Sequence, residues 1–556
     1  MIAKRFALND PTLHIPVVDS DDFWYVRVSD ENAQIGEFYI AVTAAKPDFY
    51  CPMTLHGCEG RTVTLSCADE GAPDDLFDGV LTGGSCETRP DLYPNLYREP
   101  ERQQIHFSPK RGWLNDPNGL VYAGGAFHMC FQHNPFGPNH GGVNICWGLA
   151  VSPDGVHFTE YPDAILPHDS LTHIASGSAI VDEDNLCGLG KDTILAVYTA
   201  LGSNMKKGRS SSVGTRGQMI EYSTDGGVTF KPLVEGPIIP VPKGESWRDP
   251  KILRLDDGTL CIAVYETYDG RNCVSFYSSK NARDWRFESR TMDLYECPDL
   301  FPLPVTETGE RLWVLYGANS MARIGRFENY RFAQIGESRY LDYGTAAYAG
   351  QTWNSHPDET GRYHIAWLRD PAAAWSYDPS FNHGVPFAQG MTVTCRFTLH
   401  RCADGYRLFR APIDALKSLR CGAGEAISLS LKGEPAQGRV SRPAAARIRL
   451  DVPGDAEFIV SASSPLRAAV CGQGFDYLPH ERLLRFTGGK SYSPAGDGPL
   501  SIRIITDRRS TEFFINGEIS ASYGCGDAQK TLELYGDDAR LDGRLWAMES
   551  IWKNNI

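Results

Sequence analysis

Three acidic residues occupy matching places in a repeated pattern of this 556-residue chain: Asp116, Asp249 and Glu296. Each lies at, or just before, the first apolar run of one copy. Far apart in sequence, they would converge at one mouth of a channel if the copies were arranged radially. Carboxylates placed that way suit glycoside hydrolysis. One acid protonates the leaving oxygen while another attacks the sugar or activates water, through an oxocarbenium-like transition state. The two must be tuned apart, one ionised and the other held protonated by burial or negative neighbours. A single Asp at such a position is explained by turn-making alone. Three in register, with Arg248 beside Asp249, argue for a shared task.

The elements that must position them are strands. Helix-period stretches are almost absent, and short β-branched and aromatic runs alternate with Gly, Pro, Asp and Asn clusters, so the class is all-β. From about residue 113 to 370 one unit recurs: polar start, apolar strand, Gly-rich turn, second apolar strand. Copies begin at Asp116, Ser176, Asp249 and Cys297, with a weaker fifth at Ala347. The first three end in related turns, AVSPDGVHF, EYSTDGGVTF and FYSSKNARDW, where Asp, Asn and Gly supply the turn chemistry. Five small antiparallel sheets, none able to bury its faces alone, predict a five-bladed β-propeller; a long sandwich or solenoid is the alternative.

Strand-like pieces such as FWYVRV and RTVTLSC predict a small N-terminal β domain over residues 1–100. YPNLYREPERQQ reads as a polar linker into the propeller, residues 101–404. A connector over 405–420, containing the helix-like APIDALKSLRC, leads to a C-terminal β-sandwich over 421–556, whose strands alternate apolar and polar residues.

The net charge of −15 disfavours nucleic acid, which is bound through Lys and Arg, and gives no support for an anionic membrane surface. A neutral small carbohydrate suits the balance better. No apolar run is long enough to span a bilayer, and the N-terminus has no signal-peptide core, so a cytoplasmic location is expected unless a leader preceded Met1. The 15 cysteines are scattered, odd in number and without C-x-x-C; they read as buried free thiols rather than a disulfide framework or zinc ribbon. The basic run Lys206–Arg209 and the acidic run Asp19–Asp22 read as solvated loops.

Trp113-Leu114-Asn115-Asp116-Pro117-Asn118-Gly119, Trp247-Arg248-Asp249-Pro250 and Glu296-Cys297-Pro298-Asp299-Leu300 resemble, in order and spacing, three signatures of glycoside hydrolase family 32, the invertases, levanases and inulinases. Phe131-Gln132-His133-Asn134-Pro135, Trp147-Gly148 and Ser176-Gly177-Ser178 are similar to further family positions. The resemblance covers roughly residues 102–556. It implies that Asp116 attacks the anomeric carbon, that Glu296 is the acid/base, and that Asp249 accepts hydrogen bonds from fructose hydroxyls. Asn115, Gln132, Trp147, Ser176 and Arg248 would line the fructose pocket. No cofactor and no metal is implied, and the resemblance specifies no oligomeric state. The expected reaction is release of fructose from fructo-oligosaccharides, fructans or sucrose; fructosyl transfer and a non-catalytic fructan-binding propeller are the alternatives.

Two departures stand out. Where relatives carry a His near the Trp147 position, this chain has Cys146 before it and Leu149 two residues after it. Where they carry Phe before Ser-Gly-Ser, it has Ala175. Loss of a phenyl ring enlarges a pocket wall and predicts altered fructoside preference. Cys297 reads as a buried packing thiol, with a part in tuning Glu296 as the other reading.

Overall fold

A computed structural model describes residues 1–553 apart from 19, 21, 32, 141–143, 168–171, 207–208, 241–245, 371–384, 434–442 and 527–528. The basic run at 206–209 and the acidic run at 19–22 lie largely outside the described residues. The strand signals are realised almost throughout. The helical element among the described residues is a single 3-10 turn, Asp414–Leu419.

Five antiparallel sheets follow one another between residues 112 and 412. Their first strands are Gly112–Ala123, Thr172–Val181, Trp247–Arg254, Asp299–Pro304 and Ala347–Thr352. Thr172–Val181 touches both Gly112–Ala123 and Trp247–Arg254; the latter reaches Asp299–Pro304, and Ala347–Thr352 returns to Gly112–Ala123. The first strands therefore form a ring around a central channel. Asn354 ties it: its Nδ2 donates to the carbonyls of Ala179 and Ile252, both at 2.8 Å, and its backbone pairs with Leu120 and Tyr122. Lys251, fully buried, spans three sheets by pairing with Asp299 at 3.1 Å and donating to the Thr352 carbonyl at 2.7 Å. The short strand Phe387–Ala388 runs parallel to Gly112–Trp113 and fastens the last sheet to the first.

The turn chemistry expected after the first three copies is present. Asp154 Oδ1 accepts from the backbone N–H of Val156 and His157, Asp225 Oδ1 from Val228 and Thr229, and Asn281 Oδ1 from Arg283 and Asp284. An Asn serves where the other two copies use Asp, because the turn needs only a short side-chain acceptor.

Three expectations are corrected. Residues 405–412, read as part of a connector, pair along their length with Cys395–Cys402 as the outermost strand of the fifth sheet. The run ending in Pro412 has no earlier breaker, so the hairpin continues. The stretch read as a polar linker is packed against the core through part of its length: Tyr97 stacks on Trp552 at 4.4 Å, and Arg102 lies over Phe387 at 3.5 Å. Arg102 also pairs with Glu99 and donates to the carbonyls of Ser108, Pro109 and Lys110. A fully engaged guanidinium can be interior, which composition alone does not reveal. Finally, Cys471 and Cys525 form a disulfide. They are 54 residues apart and follow strands in different sheets of the sandwich, so only packing brings them together.

The N-terminal region forms a four-stranded and a three-stranded sheet around one core, into which Phe136 of the propeller inserts. The C-terminal region is a sandwich of two six-stranded sheets. It grips the propeller through buried polar bonds. Asp507 accepts the backbone N–H of Gln104, Ile105 and His106, and the His106 ring lies between Asp507 (2.9 Å) and Glu512 (3.0 Å).

Candidate active site

The first strands of four of the five sheets are irregular near their site residues. Pairing register shifts between Leu114 and Pro117, between Ile174 and Gly177, between Arg248 and Lys251, and between Tyr348 and Gln351. The skipped residues are Asn115 and Asp116, Ala175 and Ser176, Asp249 and Pro250, Ala349 and Gly350. A bulge bends the strand and re-aims the side chain it carries. Asp249 (φ 62°), Glu296 (φ 46°) and Cys297 (φ 41°) also occupy the left-handed region, which β-carbon-bearing residues enter only when their surroundings enforce it. Irregular backbone from four sheets, and from the segment that leads into the other, thus gathers at one end of the channel.

Asp116 is held from three sides. Ser176 Oγ donates to its Oδ2 at 2.7 Å, Gln132 Nε2 to the same oxygen at 3.4 Å, and Asn115 Nδ2 to its Oδ1 at 3.2 Å. Trp113 Nε1 donates to Asn115 Oδ1 at 2.8 Å, which fixes that amide with its nitrogen toward the carboxylate. Burial raises the Asp116 pKa; Ser176 and Asn115 pull it back, while the charge of Glu296 pushes it up. These donors favour the ionised form that an attacking carboxylate needs.

Asp249 receives the Cys297 backbone N–H at 3.1 Å and has Arg248 Nε at 3.8 Å. Its own N–H donates to Thr199 Oγ1 at 2.9 Å. Burial drives its pKa up to about 7, with Arg248 opposing and Asp116 and Glu296 adding to the rise. Glu296 is clasped between the Arg248 guanidinium on Oε1 and the Tyr348 hydroxyl on Oε2. Its side chain is 19% exposed against 7% for Asp249, so Glu296 is the more accessible of the two. Arg248 lies 4.5 Å from the Tyr265 ring and its pKa is raised, mainly by Asp249 and Glu296 acting against burial.

Of the residues expected to line the pocket, Asn115, Gln132, Ser176 and Arg248 surround the carboxylates. Trp147 does not present its ring to them in the same way. It is fully buried between the first and second sheets, donates from Nε1 to the Ala175 carbonyl at 2.9 Å, and lies where a β-carbon on Gly119 would meet it at 2.9 Å. It supports the strand that carries Ser176. Leu149 is buried in the same apolar layer. Cys297 sits between the carboxylates, its Sγ 3.5 Å from Asp249 Oδ2 and 3.8 Å from Asp116 Oδ2. Burial and those charges hold the thiol protonated, so it is a donor as well as a packing group. Tyr348 and Thr199 were missed. Neither belongs to a signature; the only sequence clue to Tyr348 was its place at the start of the fifth copy.

Residues 106–412 match the model of the glycosyl hydrolases family 32 N-terminal domain. A levanase of Bacillus subtilis is 27% identical over 475 residues, covering 76% of this chain and 66% of that protein. An extracellular exo-inulinase of Aspergillus awamori is 28% identical over 375 residues, covering 59% of this chain and 67% of that protein. The chain thus spans about two thirds of the length of these relatives. Among solved structures, the A. awamori exo-inulinase superposes with a TM-score of 0.68 at 22% identity, over 82% of this chain and 100% of the other. Fructan 1-exohydrolase IIa of Cichorium intybus gives 0.61 at 18%, over 81% and 98%. These likenesses carry the propeller-and-sandwich fold, and the family match spans more than half of the sequence: the chain belongs to glycoside hydrolase family 32.

Proposed function

We propose that this protein is a retaining β-fructosidase that releases fructose from sucrose, fructo-oligosaccharides or fructans. The observation that carries the reading is the division of labour among three carboxylates. Asp116 is half-buried among hydrogen-bond donors, Asp249 is buried beside Arg248, and Glu296, also half-buried, is held between Arg248 and Tyr348.

In the first step the Asp116 carboxylate attacks the anomeric carbon while Glu296 delivers its proton to the departing oxygen. In the second, Glu296 takes a proton from water, which cleaves the fructosyl–Asp116 ester and restores both groups with net retention. Asp249 and Arg248 bind fructose hydroxyls, contacts that tighten as positive charge develops on the ring. Ala175, beside Ser176 and without a phenyl ring, is the position we propose to bear on the preference among linkages.

The test is fructose release by the purified protein from sucrose, kestose, inulin and levan, beside Asp116→Asn. Release that falls by about 10⁴-fold or more in the variant supports the mechanism. Equal release by both proteins, or none by the parent, overturns it.

A further inference from the structure

A second cluster of reactive side chains lies outside the carboxylate site, on the first sheet. Adjacent strands Ala126–Asn134, Cys146–Ser152 and Thr159–Ile165 contribute His133, Cys146 and Asp163. His133 and Cys146 are direct cross-strand partners, so their side chains share a face. Asp163 joins them from a stretch where the next strand loses register between Trp147 and Leu149. One donor atom from each residue lies within 4.8 Å of the other two.

The imidazole is oriented for ligation. Its Nε2 donates to the Arg111 carbonyl at 2.9 Å, and its Nδ1 donates to Asp163 Oδ1 at 2.6 Å, so a metal bound at Nδ1 would displace the proton that now joins the two side chains. A backbone carbonyl holding one ring nitrogen is how metal-binding histidines are commonly fixed. His133 and Cys146 are buried and Asp163 half-buried. Lys110 and Arg111, which share the adjoining cavity, are engaged by Glu87 and Glu99. The half-buried carboxylate and the buried sulfur therefore share an imidazole but no lysine or arginine among these neighbours. That cavity, about 140 Å³, is lined by His133 and Asp163 on one side and by Phe38, Pro52 and Met53 of the N-terminal domain on the other. It leaves room for a water as fourth ligand.

We propose that His133, Cys146 and Asp163 form a zinc-type divalent-metal site. One nitrogen, one sulfur and one oxygen donor make a borderline set that suits tetrahedral zinc, whereas magnesium and calcium require oxygen ligands. The site is structural. It clamps three strands of the first sheet beside the place where the N-terminal domain docks through Cys51 Sγ on the Pro135 carbonyl, at 2.9 Å. A scan for C-x-x-C spacing misses it because the donors come from three strands, 13 and 17 residues apart by numbering.

The experiment is titration of chelator-treated full-length protein with Co²⁺ and Zn²⁺. The site predicts one Co²⁺ per chain with a sulfur-to-cobalt charge-transfer band, displaced by Zn²⁺. Cys146→Ala loses the band, and Asp163→Asn binds at least about tenfold more weakly. Zn²⁺ raises the melting temperature of the parent and not of Cys146→Ala, with circular dichroism showing that both variants fold. No charge-transfer band in the parent, or the same band in Cys146→Ala, overturns the proposal. If Cys146→Ala does not fold, Cys146→Ser and Asp163→Asn carry the same comparison.

Discussion

Tyr348 and Asp249 show how single side chains tune this site. Tyr348 donates to the oxygen of Glu296 that Arg248 leaves free. A hydrogen bond to a charged group contributes roughly 1.5–3 kcal/mol, so Tyr348→Phe should lower kcat for fructose release by about 10–100-fold. KM should hardly move, because the hydroxyl touches the acid/base rather than the sugar, and steady-state kinetics on sucrose would show the split. Asp249 carries the opposite lesson, since its fold destabilises its charge. Its folded pKa is about 7 against an ordinary 3.8. The folded state therefore binds the proton more tightly than the unfolded chain, and ionisation weakens the fold as pH rises between those values. Asp249→Asn should raise unfolding stability at pH 8 by about 1–4 kcal/mol while impairing activity. That gain should fade as pH falls through 7 toward 4, which denaturant unfolding across pH can follow.

At the scale of the element, the working parts are interruptions. A regular inner strand would place alternate side chains on opposite faces, and no pair of neighbours such as Asn115 and Asp116 could both serve one carboxylate site. The bulges break that alternation at the residues concerned. Gly177 is the price of one of them: a β-carbon there would lie 2.0 Å from the Val197 carbonyl oxygen. Gly177→Ala must push apart the strands Thr172–Val181 and Ile194–Lys206 and move Ser176 off Asp116. The expected outcome is destabilisation of about 2 kcal/mol or more, read from urea unfolding, with fructose release lost in whatever protein remains folded.

For the whole molecule, the joint between propeller and sandwich is electrostatic at its centre. Burial pushes the His106 pKa down, yet hydrogen bonds and charge from Asp507 and Glu512 outweigh it and carry it up to about 9, while both carboxylates are lowered. A folded pKa above the unfolded 6.5 means a contribution fully present below pH 6.5 and lost as pH rises through 9. It should amount to roughly 3 kcal/mol at most. Unfolding of the parent between pH 6 and 10 should show that loss, and His106→Gln should be less stable at pH 6 with a flatter profile. A chain ending at residue 412 would leave Arg410 without Ser520 and the backbone N–H groups of residues 104–106 without Asp507. It should be recovered mainly as insoluble protein, measured by the soluble fraction on expression.

Legible from residue order alone were the strand-rich class, the recurring unit, the three carboxylates at its matching positions and the family signatures. These depend on local pattern: alternation along a strand, turn residues at fixed offsets, and short runs such as Arg248-Asp249-Pro250. The pairing of Gln132 and Ser176 on one oxygen of Asp116 was expected only as a common pocket. The clasp of Tyr348 on Glu296, the position of Cys297 between two acids, and the retreat of Trp147 and Leu149 into the layer between sheets came from folding. So did the burial of Arg102, the disulfide and the cluster of His133, Cys146 and Asp163. Each of these rests on which face of a strand points inward and where register slips. A one-residue bulge reverses that choice, and nothing in the types of the neighbouring residues announces it.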